Sequence, residues 1–233
     1  MRNALITGAS RGFGRELATV FLERGWTVFP LVRRAESAGE LKAAGGERCH
    51  PIVADVAAED VEARITTALS ANRTSLDLLV NNAGHVKKLR WLDRTTQEDL
   101  EDLFRVHCVG AFRCTRAALP FLRAADKAMV VNVTSRFGSI ARAAAGLGGG
   151  IYSYQIAKCA QNMLTACMDQ ELRQQGIRVV AVHPGRLTTD SAAMDADVPP
   201  RDAAVRLLAW LEAFDSTQPC RCHDLMAGGF VDW

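Results

Sequence analysis

Thr7-Gly8-Ala9-Ser10-Arg11-Gly12-Phe13-Gly14 follows directly on the short apolar run Asn3–Thr7 and leads into an amphipathic stretch, Arg15–Arg24. Three glycines let a backbone turn tightly and come close to a ligand, and the helix that follows offers the unpaired N–H groups of its first turn. A packing turn is the plainer reading of any glycine triplet. At the junction of a first strand and a first helix, a cradle for a pyrophosphate becomes the stronger one.

The same unit recurs along the chain. Apolar runs at Asn3–Thr7, Thr27–Val32, Cys49–Ala54, Leu76–Asn81, Ala128–Thr134 and Ile177–His183 are nearly continuous in Val, Ile, Leu and Ala, as strands buried on both faces are. Helix-length amphipathic runs alternate with them at Gly14–Arg24, Ser37–Ala44, Ala58–Ala71, Thr96–Leu122, Ile151–Gln175 and Pro200–Phe214. Strict alternation implies right-handed crossovers and an α/β fold, a doubly wound parallel sheet with helices on both faces. Ligands of such sheets sit beyond the C-terminal ends of the strands, where the strand order reverses. Functional residues are therefore sought just after each strand.

Composition sets the class. With 233 residues, 48% hydrophobic and 23% charged, the chain suits one globular domain over 1–233 and excludes disordered and fibrous classes. A net charge of +2 argues against nucleic acid or an anionic membrane as main partner. No apolar stretch is long enough to span a bilayer, and Met1-Arg2-Asn3 runs straight into Ala4-Leu5-Ile6 without a signal-peptide pattern, so a cytoplasmic location is expected. The seven cysteines then read as reduced thiols. Cys220-Arg221-Cys222-His223 invites a zinc reading, but no second ligand pair matches it, and no metal is expected.

Beyond the glycine loop, motifs fall in order after the strands: Asp55-Val56, Asn81-Asn82-Ala83-Gly84, Thr134-Ser135-Arg136-Phe137-Gly138, Tyr154-Gln155-Ile156-Ala157-Lys158 and Pro184-Gly185 with Thr189. Gly8, Gly12 and Gly14 make a G-x-x-x-G-x-G pattern. Together these resemble the classical short-chain dehydrogenase/reductase family, a Rossmann fold, from Ala4 to about Asp190 with a looser echo at Gly228–Trp233. The resemblance implies that Gly8, Ser10, Arg11, Gly12, Phe13 and Gly14 hold the dinucleotide's phosphates and that Asp55 and Val56 contact its adenine. It likewise implies that Asn82, Ala83, Gly84, Pro184, Gly185, Leu187 and Thr189 contact its ribose and nicotinamide. NAD-dependent members carry an acid at the end of the second strand. Here Val32 stands there, followed by Arg33 and Arg34, with Arg11 approaching from the glycine loop. Guanidinium groups pair with a 2′-phosphate that a carboxylate would repel, so NADP(H) is the expected cofactor.

Tyr154 and Lys158 are four residues apart and share a helix face. A phenol is a poor acid–base group near neutrality, and an adjacent ammonium is expected to lower its pKa. By resemblance Tyr154 protonates a carbonyl oxygen, Lys158 anchors the ribose and tunes the phenol, and Ser135 hydrogen-bonds the substrate oxygen. Ser139 is a weaker candidate for that serine, and Tyr152, whose partner four residues on is Ile156, is instead a possible substrate-site residue. The family's catalytic Asn lies in a V-N-x-x-G segment. The matching run here is Val106-His107-Cys108-Val109-Gly110, which puts His107 in its place. A histidine that hydrogen-bonds water and titrates near neutrality keeps the proton relay in modified form; a helix histidine without a role and a broken relay are the alternatives.

Tyr154 lies nineteen positions after Ser135, a longer separation than the family norm, and Ala141–Gly150 reads as a flexible loop over the site or an inert insertion. Lys87, Lys88, Arg90, Arg136, Arg142 and Arg186 fall in segments around the expected site and would draw an anionic substrate, such as a carboxylate or acyl-thioester. Arg186–Pro200, the substrate lid by resemblance, is short and polar. The implied activity is NADPH-dependent reduction of a ketone, aldehyde or ketoacyl group in a homodimer or homotetramer paired through the long helices. The rival reading is an NADP(H)-binding sensor or structural protein without turnover, which rests on His107 alone.

Overall fold

The computed structural model describes residues 2–87, 91–149, 151–189 and 196–233. Among them, β1 (Asn3–Thr7), β2 (Thr27–Val32), β3 (Ile52–Val53), β4 (Leu78–Asn81), β5 (Ala128–Val133), β6 (Ile177–His183), β7 (Cys222–Asp224) and β8 (Phe230–Val231) form one sheet. Its order is β3-β2-β1-β4-β5-β6-β7-β8, parallel throughout except for the antiparallel β7–β8 pair. The chain leaves β1 toward β2 on one side and returns to β4 on the other. The strand order therefore reverses between β1 and β4, where a doubly wound sheet opens a crevice.

The helices are α1 (Gly12–Glu23), α2 (Ala35–Gly45), α3 (Val61–Ala71), α4 (Gln97–Phe104), α5 (Gly110–Arg123), α6 (Ile140–Ala144), α7 (Tyr152–Leu172) and α8 (Pro200–Glu212). Alternation along each strand feeds two cores. Ala4, Ile6, Val131, Val133, Val180 and Val182 face Leu17 and Phe21 of α1 and Leu207 and Leu208 of α8. Leu5, Val130 and Val179 face Ile65 and Leu69 of α3 and Leu122 of α5. Each such large side chain contributes about 1.5–3 kcal/mol by leaving water. The glycine loop is thus anchored on a strand fixed from both faces. No helix among the described residues is long and apolar enough to cross a membrane.

Three sequence expectations need correction. The run Cys49–Ala54 is not one strand: Cys49 makes an isolated bridge to Val28, and the strand itself is Ile52–Val53. The His50 and Ala54 amides donate to the Val28 and Val32 carbonyls, so the even-numbered residues of β2 face β3. Pro30, between them, has no N–H to return, and the ladder breaks there. Thr96–Leu122 is one uninterrupted helical run, Gln97–Arg123, as expected, but it is not α-helical throughout, because the π-helical turn Arg105–Val109 lies between α4 and α5. The pair β7 and β8 lies outside the expected strands. Both are too short for their periodicity to be read. Elsewhere the boundaries move by a few residues; α1 starts at Gly12 rather than Gly14, and a 3-10 turn, Arg173–Gln175, closes the run expected as the end of α7.

Candidate active site

A cavity of about 1210 Å³ opens at the C-terminal ends of β1, β4, β5 and β6. The sheet builds its floor. Thr7, the last residue of β1, accepts through Oγ1 from the Asn82 and Ala83 amides, both at 3.0 Å, and Asn82 Nδ2 donates to the Thr7 carbonyl at 2.9 Å. These bonds tie the glycine loop to the segment after β4 across the switch point. Gly8, at φ +69°, occupies the left-handed region. A Cβ on Gly14 would lie 2.4 Å from the Gly8 carbonyl oxygen, so only glycine lets the loop close on itself. The N-cap residue of α1, Arg11, makes no side-chain capping bond, and the first turn, Gly12–Gly14, lines the cavity.

Of the residues singled out as cofactor contacts, Gly8, Ser10, Arg11, Gly12, Phe13, Gly14, Arg33, Asp55, Val56, Asn82, Ala83, Gly84, Pro184, Gly185, Leu187 and Thr189 all line this cavity. Arg34 does not. It is the N-cap residue of α2, in extended conformation. Asp55 is held in place by its own turn, Oδ1 accepting from the Ala57 amide at 2.9 Å.

Ser135, Tyr154, Lys158 and His107 also line the cavity. Ser135 Oγ accepts from the Phe137 amide at 3.2 Å. The expected lowering of the Tyr154 pKa is not found. Burial pushes the phenol up to about 12, and the neighbouring Ser135 hydroxyl offsets this only in part. Lys158 cannot supply the missing bias: burial draws its own pKa down to about 7, and its Nζ donates to the Val133 carbonyl at 2.7 Å and to Gln161 Oε1 at 2.9 Å. Nζ stands 5.7 Å from the centre of the Tyr154 ring.

Residues 2–198 match the family model for the short chain dehydrogenases. The chain belongs to the short-chain dehydrogenase family. It is 34% identical over 158 residues to the C-signal protein of Myxococcus xanthus, covering 68% of this chain and 93% of that one. It is 33% identical over 215 residues to a 3-oxoacyl-acyl-carrier-protein reductase of rhamnolipid biosynthesis from Pseudomonas aeruginosa, covering 84% and 80%. Among solved structures it is similar to the NADPH-bound carbonyl reductase from chicken fatty liver, with a TM-score of 0.88, 27% identity and coverage of 100% and 99%.

This short-chain dehydrogenase departs from the family pattern at His107. The π-helical turn sets its ring inward, edge-on to Tyr154 with centroids 5.5 Å apart. A Cβ on Gly84 would lie 2.2 Å from His107 Cε1, so the glycine makes room for the imidazole. Burial, reinforced by the nearby Lys158 charge, pushes the His107 pKa well below 6.5. The expectation that it titrates near neutrality is therefore wrong, because the ring is walled in and neutral.

The cations of the mouth are less available than expected. Lys87 is paired with Asp99 at 3.1 Å and Asp102 at 3.0 Å, and Arg186 with Asp197. Burial works against the Asp102 carboxylate, but hydrogen bonds from Lys87 and His85 outweigh it and hold its pKa below the usual range. Arg136 lines the cavity, whereas Arg142 does not. Lys88 and Arg90 lie outside the described residues, as do Gly150 and residues 190–195 of the expected lid.

Ala141–Gly150 is not simply a flexible loop. Its described part opens with α6, capped by Ser139 Oγ, which accepts from the Arg142 amide at 3.1 Å. Ser139 thus has a structural task away from the cavity lining. The terminal Trp233 folds back, its oxygen accepting from the Ala141 amide at 3.1 Å. Tyr152 is exposed, outside the lining. In the Cys-Arg-Cys-His run, Cys222 Sγ lies 3.4 Å from Thr134 Oγ1 and His223 is boxed by Trp210, Phe214 and Phe230.

Sequence reasoning missed Thr7, His85, Asp102, Gln161 and His183. Thr7 was legible as the polar end of an apolar strand. The others gain their place only through contacts made across the fold.

Proposed function

We propose that this chain is an NADPH-dependent carbonyl reductase whose single domain, 1–233, carries both dinucleotide site and catalytic groups. The observation that carries the reading is that Ser135, Tyr154 and Lys158 share one cavity with the glycine-built N-terminus of α1. The cavity fits a dinucleotide. A Cβ at Gly12 would sit 3.3 Å from Thr189 Cγ2, closing the gap across which the phosphates are expected to lie. Arg11 and Arg33 line the adenosine end, with Val32 where an acid would oppose a 2′-phosphate.

When bound, the dinucleotide supplies hydride. Tyr154 holds the proton that goes to the substrate oxygen; a phenol raised by burial is fully protonated at neutral pH and ready to donate. Ser135 fixes that oxygen and stabilises the charge it develops. Lys158 lies one turn away on α7, and His107 offers a neutral acceptor beside the phenolate that remains. The substrate class is a ketone, aldehyde or ketoacyl group. With Lys87 and Arg186 paired to acids, Arg136 remains the described lining residue best placed to favour an anionic or acyl-thioester member of that class. Exposed Phe104 on α4 and Phe112 on α5, with Ile156 and Met163 on α7, support self-association through these helices.

The test is oxidation of NADPH against β-ketoacyl thioesters, quinones, aromatic ketones and keto acids, with Tyr154→Phe alongside. Turnover that falls at least about a hundredfold in the variant while NADPH binding persists is the expected result. Cofactor binding with no turnover in either protein would favour the sensor reading instead.

A further inference from the structure

We infer that Gln161 is a positioning residue for Lys158, its side-chain carbonyl acting with the Val133 carbonyl to fix where the ammonium sits. This rests on the catalytic reading of Lys158 above. Gln161 lies one turn beyond Lys158 on α7 and is only 1% exposed. A glutamine there costs stability unless its polar atoms are used. Its Oε1 is used, accepting from Lys158 Nζ at 2.9 Å, while the Val133 carbonyl accepts at 2.7 Å. Two of the three ammonium N–H donors are thus spent inside the protein, leaving the third for the cavity that Lys158 lines.

The groups facing Lys158 make this acceptor matter. They are Tyr154 on the same helix, His107 from the π-helical turn and Cys222 from β7. None is an anion near neutral pH: burial pushes Tyr154 up to about 12 and Cys222 up to about 11, and it keeps His107 neutral. The buried ammonium has neutral carbonyls for partners, and Gln161 is the one supplied by a side chain.

The helix turn that carries Gln161 is itself pinned. Thr165 Oγ1 donates to the Gln161 backbone carbonyl at 2.7 Å and accepts from Asn132 Nδ2 at 2.8 Å. Asn132 Oδ1 accepts from Asn81 Nδ2 at 2.9 Å. This buried polar seam joins α7 to β5 and β4 directly beneath the site, so the acceptor is held rather than merely nearby.

The chain has five lysines, so the full-length protein labelled with 13C-lysine gives few signals to resolve, and Lys158→Met identifies the one that matters. Gln161→Met keeps length without an acceptor and is expected to lower the Lys158 titration midpoint by about one pH unit. Gln161→Glu keeps shape, adds a charge and is expected to raise it. The basic limb of the NADPH-dependent rate should move the same way in each. Thermal melts check that both variants fold. If Gln161→Met does not, Gln161→Glu decides alone: an unmoved Lys158 midpoint overturns the inference. Midpoints that shift in a protein without Tyr154-dependent turnover would sink the reductase reading and leave the Gln161 contact standing. Turnover with unmoved midpoints does the reverse.

Discussion

His107 Nε2 donates to the backbone carbonyl of His85 at 2.9 Å, and this one bond fixes the tautomer. A carbonyl only accepts, so Nε2 carries the hydrogen and Nδ1 is left as an acceptor. Nδ1 is buried and has no hydrogen-bond partner among the described residues. An asparagine in this place both donates and accepts; His107 offers one acceptor nitrogen. His107→Asn should therefore keep turnover within about tenfold, whereas His107→Phe, which fills the space without an acceptor, should lose roughly a hundredfold. The ratio of kcat values on one carbonyl substrate checks both.

The buried imidazoles also make stability fall toward acid pH. Burial draws His183 and His223 down to about 4 and His107 well below 6.5. Between those values and the ordinary 6.5, the unfolded chain binds protons that the folded one refuses. The contribution of these groups is thus whole above pH 6.5 and is lost as the pH falls toward 4, by about 1.4 kcal/mol per imidazole per pH unit. Urea midpoints measured from pH 7.5 to 4.5 should drop along this course. His223→Phe, placing a ring among Trp210, Phe214 and Phe230, should shallow the slope by one group's share.

Gly84 and His107 are coupled through space. Gly84→Ala pushes a methyl to 2.2 Å from the His107 ring, which cannot retreat because Nε2 is held by His85. The substitution should cost about 1–3 kcal/mol in the native protein. In a His107→Ala background the ring is gone and the cost should nearly vanish. A double-mutant cycle on denaturation free energies reads this directly, and additive effects would rule out the coupling.

The glycine loop, both cofactor-facing strand ends and the Ser135–Tyr154–Lys158 trio were legible because each depends on local spacing: a turn that only glycine makes, or two side chains four residues apart on one helix. Continuous apolar runs likewise yielded β1, β2 and β6 to the residue. Pairings between distant segments were not legible. Nothing around Lys87 announces Asp99 and Asp102, which reach it only when α4 docks beside the β4 loop. The direction of the Tyr154 shift was missed for a related reason. Four-residue spacing places an ammonium one turn away, but burial depth, which decides the sign, belongs to the whole fold. The π-helical turn has no local signature either; its consequence, an inward His107, appears only beside Gly84.

Arg33 gives the sharpest test of cofactor choice. It lines the cavity, as Arg11 does, and follows Val32 at the end of β2, whereas Arg34, the N-cap residue of α2, is not part of the lining. A guanidinium that meets a 2′-phosphate makes charge-assisted hydrogen bonds worth about 1.5–3 kcal/mol, or roughly ten- to hundredfold in affinity. Arg33→Glu should weaken NADPH binding by at least that much and leave NADH unchanged or tighter, because a carboxylate there repels the phosphate and accepts from ribose hydroxyls. Arg34→Glu should shift NADPH by less than about threefold, through the long-range field alone. Fluorescence titrations of both nucleotides at two salt concentrations separate these effects. Equal losses from the two substitutions would mean that general basicity of the rim, rather than Arg33 at its particular place, selects the cofactor.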